Sequence, residues 1–201
     1  MNSLQPIIGK LETLFEAFNK RFYNGELETP VIAVNHDVTR GAYGWCTSWK
    51  AWENEKGGFY EINLCAEHLT RPYIETCETL LHEMVHLFNV QKGIQDTSRN
   101  GFYHNKRFKS EAENRGLTVE KTSKYGYCKT ALTEEAKTYI ENLDENDSFT
   151  LRRNKIPKQA AKGKGSNSIK YTCPICGAIV RATKEVNISC ADCETDFVKA
   201  G

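Results

Sequence analysis

No stretch of this 201-residue sequence approaches the roughly 18 consecutive apolar residues that a membrane-spanning helix needs, which excludes one. The opening residues, MNSLQPIIGKLETLF, lack a basic stretch followed by a long apolar one. No secretory signal is therefore expected, and a cytoplasmic location is. Internal repeats are missing too. What is present is ordinary for a globular chain: 39% hydrophobic and 26% charged residues, enough for one domain with a core plus a small module.

Eight cysteines would suit a disulfide scaffold, but their spacing does not. Four form two C-x-x-C pairs near the C-terminus, and Cys46, Cys65, Cys77 and Cys128 are scattered singly. Paired cysteines in an intracellular chain point to metal rather than disulfides. The single ones read as small buried hydrophobes. The net charge of +1 conceals an asymmetry. Residues 1–150 carry 17 Lys and Arg against 22 Asp and Glu, whereas residues 151–201 carry 10 against 4. A basic tail on an acidic body makes nucleic acid a candidate partner, although a short basic segment is also commonly just solvated.

Leu4, Ile7, Ile8, Leu11, Leu14, Phe15, Phe18 and Phe22 recur at helical spacing and predict a helix over 4–23, ended by Asn24-Gly25. Residues 31–38, 41–49 and 58–64 read as strands of a small antiparallel sheet. Trp45, Trp49, Trp52 and Phe59 in this region are read as core. If exposed instead, they can stack on unpaired bases. A second helix is expected from a Thr70 cap and Pro72 to a stop near Gly93, with Ile74, Cys77, Leu81, Met84, Val85 and Phe88 as its apolar stripe. A third spans 105–115, a short strand 119–130, and a further helix opens at Thr133 and fades near Asp144. The class is α+β. The expected boundaries are a first domain over 1–145, a flexible basic linker over 146–169 and a compact module over 170–201.

On the second predicted helix stands His82-Glu83-Met84-Val85-His86, an H-E-x-x-H motif. Residues four apart lie one above the other on a helix, so both imidazoles can reach one tetrahedral zinc. Glu83 lies about 100° round the helix, beside the open coordination position. There its carboxylate can take a proton from water. A five-residue match also arises by chance, on polar helix flanks with no metal. The third ligand is chosen as His104, which follows by a loop; Glu111 or Glu113 is the competing choice, and His68 lies at the wrong end of the helix. Asn89 and Lys92 stand where the extended H-E-x-x-H-x-x-G-x-x-H pattern needs glycine and histidine, so the chain is no metzincin.

Cys173-x-x-Cys176 and Cys190-x-x-Cys193 lie thirteen residues apart. Each pair brings two thiolates to one ion, and the two pairs complete a closed, structural zinc site. A redox dithiol is the weaker alternative, because two pairs occur together. A module this small cannot be held together by its core alone.

The order of these features resembles the SprT-like family, whose Spartan branch cleaves proteins crosslinked to DNA. The matching stretches are Phe22-Tyr23-Asn24-Gly25-Glu26-Leu27, Tyr60-Glu61-Ile62-Asn63-Leu64, Thr79-Leu80-Leu81 running into the motif, and His104 with Phe108. The family's glycine after that histidine is Asn105 here, a residue that tolerates unusual backbone angles. The resemblance implies a compact zincin-like α+β domain followed by a zinc ribbon. It makes His82, His86 and His104 ligands of a catalytic zinc, Glu83 the catalytic residue, and Cys173, Cys176, Cys190 and Cys193 ligands of a structural zinc. Protein substrates and DNA are the partners it implies. A non-catalytic nucleic-acid-binding adaptor is the alternative reading.

Overall fold

The computed structural model describes residues 3–36, 41–143, 149–154 and 168–199. The chain divides into two compact units, Met1–Lys155 and Ile156–Gly201. Among the described residues, no helix is long and apolar enough to cross a membrane.

The first unit is mixed α+β. Helix α1 (Gln5–Tyr23) buries Ile7, Leu11, Leu14, Phe15 and Phe18, the stripe its spacing predicts. It stops at Asn24, whose φ of 54° is left-handed. Asn19 clamps the exit, its side chain bonding both the N–H and the C=O of Leu27 at 3.1 Å. Strands β1 (Val31–Asn35), β2 (Gly44–Cys46), the hairpin β3 (Trp52–Asn54) and β4 (Gly57–Phe59), and β5 (Glu61–Cys65) follow.

The small sheet forms where expected but is not wholly antiparallel. Its order is β1-β5-β2, with β1 parallel and β2 antiparallel to β5. The physical reason lies in β5: four of its five residues are buried. A strand covered on both faces belongs in the centre of a sheet. The polar segment before it is set apart as the β3–β4 hairpin. The core reading of the tryptophans fails there: Trp49 is 64% and Trp52 49% exposed, and Trp45 and Phe59 are half-buried.

Helix α2 (Tyr73–Gln91) packs on this sheet and buries eleven of its nineteen residues. It starts after Pro72, whose C=O accepts from the Glu75 and Thr76 amides, so Thr70 does not serve as the cap. The loop beyond α2 contains two short strands, β6 (Thr97–Ser98) and β7 (Tyr103–His104). Helix α3 (Lys106–Asn114) then begins on Asn105. The residue has ordinary extended angles, and its side chain accepts from the Arg107 and Phe108 amides. Asn105 is therefore a cap, not a residue tolerated for unusual angles.

The single strand expected over 119–130 is two: β8 (Leu117–Thr122) and β9 (Gly126–Leu132), antiparallel with a bulge between Glu120 and Thr122. Helix α4 (Glu134–Leu143) closes the run, its first turn capped by Thr133 Oγ1, which accepts from the Ala136 amide at 3.2 Å. Of the expected linker span, residues 146–148 and 155–167 lie outside the described residues. The stretch 149–154 has no helix or strand. It buries Phe149 in the core of the first unit, and the Arg153 amide donates to the Ala66 carbonyl at 3.0 Å.

The second unit has a three-stranded sheet, β11 (Ile179–Ala182), β10 (Ile169–Thr172) and β14 (Val198–Lys199), and a hairpin of β12 (Ser189–Cys190) and β13 (Thr195–Asp196). Gly177, at φ 74°, turns the first C-x-x-C knuckle, and its amide donates to the Cys173 carbonyl.

Candidate metal centres

Helix α2 carries His82 and His86 one turn apart, and β7 supplies His104. Their coordinating nitrogens all lie within 4.8 Å of one another. His104 Nε2 is 3.2 Å from His82 Nε2 and 3.0 Å from His86 Nε2. Two corners of a tetrahedron of zinc–nitrogen bonds stand about 3.3 Å apart, so three imidazoles fit one ion with a fourth corner left for solvent or substrate. The structure brings His104 to the pair and not its competitors. Glu111 is bonded to Arg115 and Glu113 to Lys109, and neither joins the histidine cluster. Phe108, fully buried, floors the site with its ring 4.5–4.7 Å from all three imidazoles.

Gly126 makes this placement possible. It sits opposite His104 in the β7–β9 pairing. A Cβ there would lie 2.2 Å from the His104 carbonyl oxygen, and φ is +70°. Only glycine lets β9 run this close. We expect Gly126→Ala to push β7 away and lower both the melting temperature and metal uptake at the histidine site; a variant that matches the wild type in both measurements contradicts this.

Two imidazoles are held from behind. His86 Nδ1 meets Asp96 Oδ2 at 2.7 Å, and the buried Asn89 side chain donates to the same oxygen at 3.0 Å. Burial alone would lower the His86 pKa, but the hydrogen bond and charge of Asp96 leave it raised. His82 Nδ1 meets Thr130 Oγ1 at 3.2 Å. Burial and the neighbouring imidazoles hold the His82 pKa well below its usual value, and burial followed by His86 brings His104 down to about 4. Both rings are therefore neutral near pH 7, with lone pairs free for a metal.

The sequence reading missed Asp96, Asn89 and Thr130. Only Asp96 had a usable signal, because a ligand histidine commonly hands its second nitrogen to a carboxylate. We expect Asp96→Ala to weaken metal binding at the histidine site by roughly 10- to 100-fold, measured by chelator competition. An unchanged affinity would remove Asp96 from the site.

Glu83, only 6% exposed, points beneath β2. Burial lifts its pKa to about 7, with the Asp96 charge adding to the rise, against His86 and, more weakly, the Cys46 amide, which hydrogen-bonds the carboxylate and favours its charged form. A Cβ on Gly44 would stand 3.2 Å from Glu83 Cγ and 2.7 Å from the Asn63 carbonyl oxygen. A side chain at 44 would thus lift β2 off the glutamate. Nothing in the sequence pattern marked that glycine.

In the second unit, the Sγ atoms of Cys173, Cys176, Cys190 and Cys193 lie within 4.8 Å of one another. Cys176 Sγ is 3.8 Å from Cys190 Sγ. The edge of a tetrahedron of zinc–sulfur bonds is also about 3.8 Å. Four thiolates with no vacant corner fit a structural zinc ribbon.

Against known proteins, the SprT-like family profile matches residues 11–127. That span includes all three histidines, Glu83 and Asp96, and stops short of Thr130 and the cysteine module. No curated protein matches the chain.

Proposed function

The chain belongs to the SprT-like family, and we propose that its first unit is a zinc-dependent peptidase acting on proteins bound to DNA. The carrying observation is the convergence of three imidazole Nε2 atoms beside a buried carboxylate. His82, His86 and His104 would hold the zinc. When bound, the metal supplies Lewis acidity, polarising a peptide carbonyl and making water more acidic. Glu83 takes the proton from the attacking water and delivers it to the departing amine. The Cys46 amide orients the carboxylate for that exchange. Asp96 fixes the His86 ring so that its Nε2 faces inward. The four cysteines would hold a second, structural zinc.

Two features of charge support DNA as partner. The tail beyond residue 150 carries ten basic residues against four acidic ones. In the first unit, residues 91–130 hold nine Lys and Arg against four Asp and Glu. Three of these cations lie over tyrosine rings: Arg99 over Tyr103 on β7, Lys121 over Tyr127 on β9, and Lys124 over Tyr125 in the turn between β8 and β9. Cations interleaved with aromatic rings suit the phosphates and bases of a single strand.

The test uses the metal-loaded full chain with a protein substrate, free or crosslinked to single-stranded DNA. We expect cleavage of the DNA-bound form, lost on chelation. Replacing Arg99, Lys121 and Lys124 together by alanine should lower the slope of log affinity on log salt by about 2, since each lost phosphate contact on a single strand removes roughly 0.7. Cleavage indifferent to DNA points to a general peptidase, and no cleavage of either form refutes the proposal.

A further inference from the structure

Thr130 and Glu78 lie behind His82 and belong to no part of the motif. Glu78 sits one helical turn before His82 on α2, so the two share a face. Strand β9, drawn close by Gly126, places Thr130 between them. The Thr130 hydroxyl donates to Glu78 Oε1 at 2.9 Å, and the same oxygen is 3.2 Å from His82 Nδ1. A hydroxyl has one proton to give. With that proton donated in the hydrogen bond to the carboxylate, Oγ1 can only accept from the imidazole, so the proton between them must sit on Nδ1. His82 Nε2 is then left with its lone pair, facing His104 Nε2 at 3.2 Å.

We infer that Thr130 and Glu78 form a positioning relay that fixes the tautomer and orientation of His82 for metal binding. This rests on the reading of the three histidines as a metal site. The two helix histidines are thereby held by different devices: Asp96 bonds His86 directly, whereas Glu78 reaches His82 through a hydroxyl. Because a carboxylate accepts but never donates, Glu78 gives the relay its direction. A serine at 130 would keep it, and a valine of the same shape and strand preference would break it.

The test reads zinc affinity by competition with a chromophoric chelator on the full chain, without any cleavage assay. The class of zinc absent from His104→Ala identifies the histidine site. Thr130→Val should weaken that class by roughly 10- to 100-fold. The cysteine class and the melting temperature of the metal-free chain should hold. Thr130→Ser should restore wild-type affinity. In the metal-free chain, 15N NMR should find His82 protonated on Nδ1, and Glu78→Leu should shift it toward the Nε2-protonated form. The inference is overturned by wild-type affinity in Thr130→Val, by equal weakening in Thr130→Ser, by an Nε2-protonated His82 in the wild type, or by a wild type with no second zinc class. A chain that shows the relay in these measurements but cleaves nothing refutes the peptidase proposal alone.

Discussion

Replacing Glu83 by glutamine is expected to leave two metal ions on each chain and to lower the proposed cleavage by roughly 100- to 10,000-fold, the usual contribution of a positioned general base. The substitution changes one oxygen for an NH2 group. The Cys46 amide still has a side-chain oxygen to bond, and the packing beneath Gly44 is unaltered in size. Glutamine cannot accept a proton at neutral pH, so the exchange between water and leaving amine stops. Metal analysis and initial rates on the same preparation separate the two effects. Loss of metal along with activity would make Glu83 a structural or ligating group. Undiminished cleavage would place the base elsewhere.

His104→Ala is expected to have the second large effect: metal content should fall from two ions per chain to one, and the proposed cleavage should disappear. His82 and His86 alone offer two nitrogens, one short of the three protein ligands a catalytic zinc needs. The β7–β9 contact is a backbone pairing, so the strand stays in place without the imidazole. The remaining ion belongs to the four cysteines. Retention of both ions would show that another side chain supplies the third ligand. Loss of both would mean that the two sites are not independent.

The parts of the fold that were legible in the sequence are those written in local periodicity and in capping residues. Helix α1 follows from its apolar stripe and its Asn24-Gly25 stop, and α4 from Thr133. The class, α+β, followed from the same signals. Strand order was not legible. That β5 sits between β1 and β2 depends on which strand is covered on both faces, a property of the assembled sheet. The β8–β9 turn was hidden because Gly126 serves a close approach to His104, a partner 22 residues away. The exposed tryptophans were misread because an aromatic residue's burial depends on what covers it.

The same division holds at the candidate metal site. His82, Glu83 and His86 are one helical motif, and local geometry alone makes them neighbours. His104 needed a choice among three candidates that spacing could not settle. Asp96, Thr130 and Glu78 act on the histidines only through the folded chain. Each is an ordinary polar residue in sequence, and each acquires its role from a distance of 2.7–3.2 Å in the structure.

A crystal structure of the zinc-loaded chain, with anomalous diffraction recorded at the zinc edge, tests the three-histidine centre most directly. Two peaks are expected. One lies about 2.0–2.1 Å from the Nε2 atoms of His82, His86 and His104 with no fourth protein ligand, and the other about 2.3 Å from four sulfurs. A single peak at the cysteines, or a fourth side chain closing the histidine site, would contradict it.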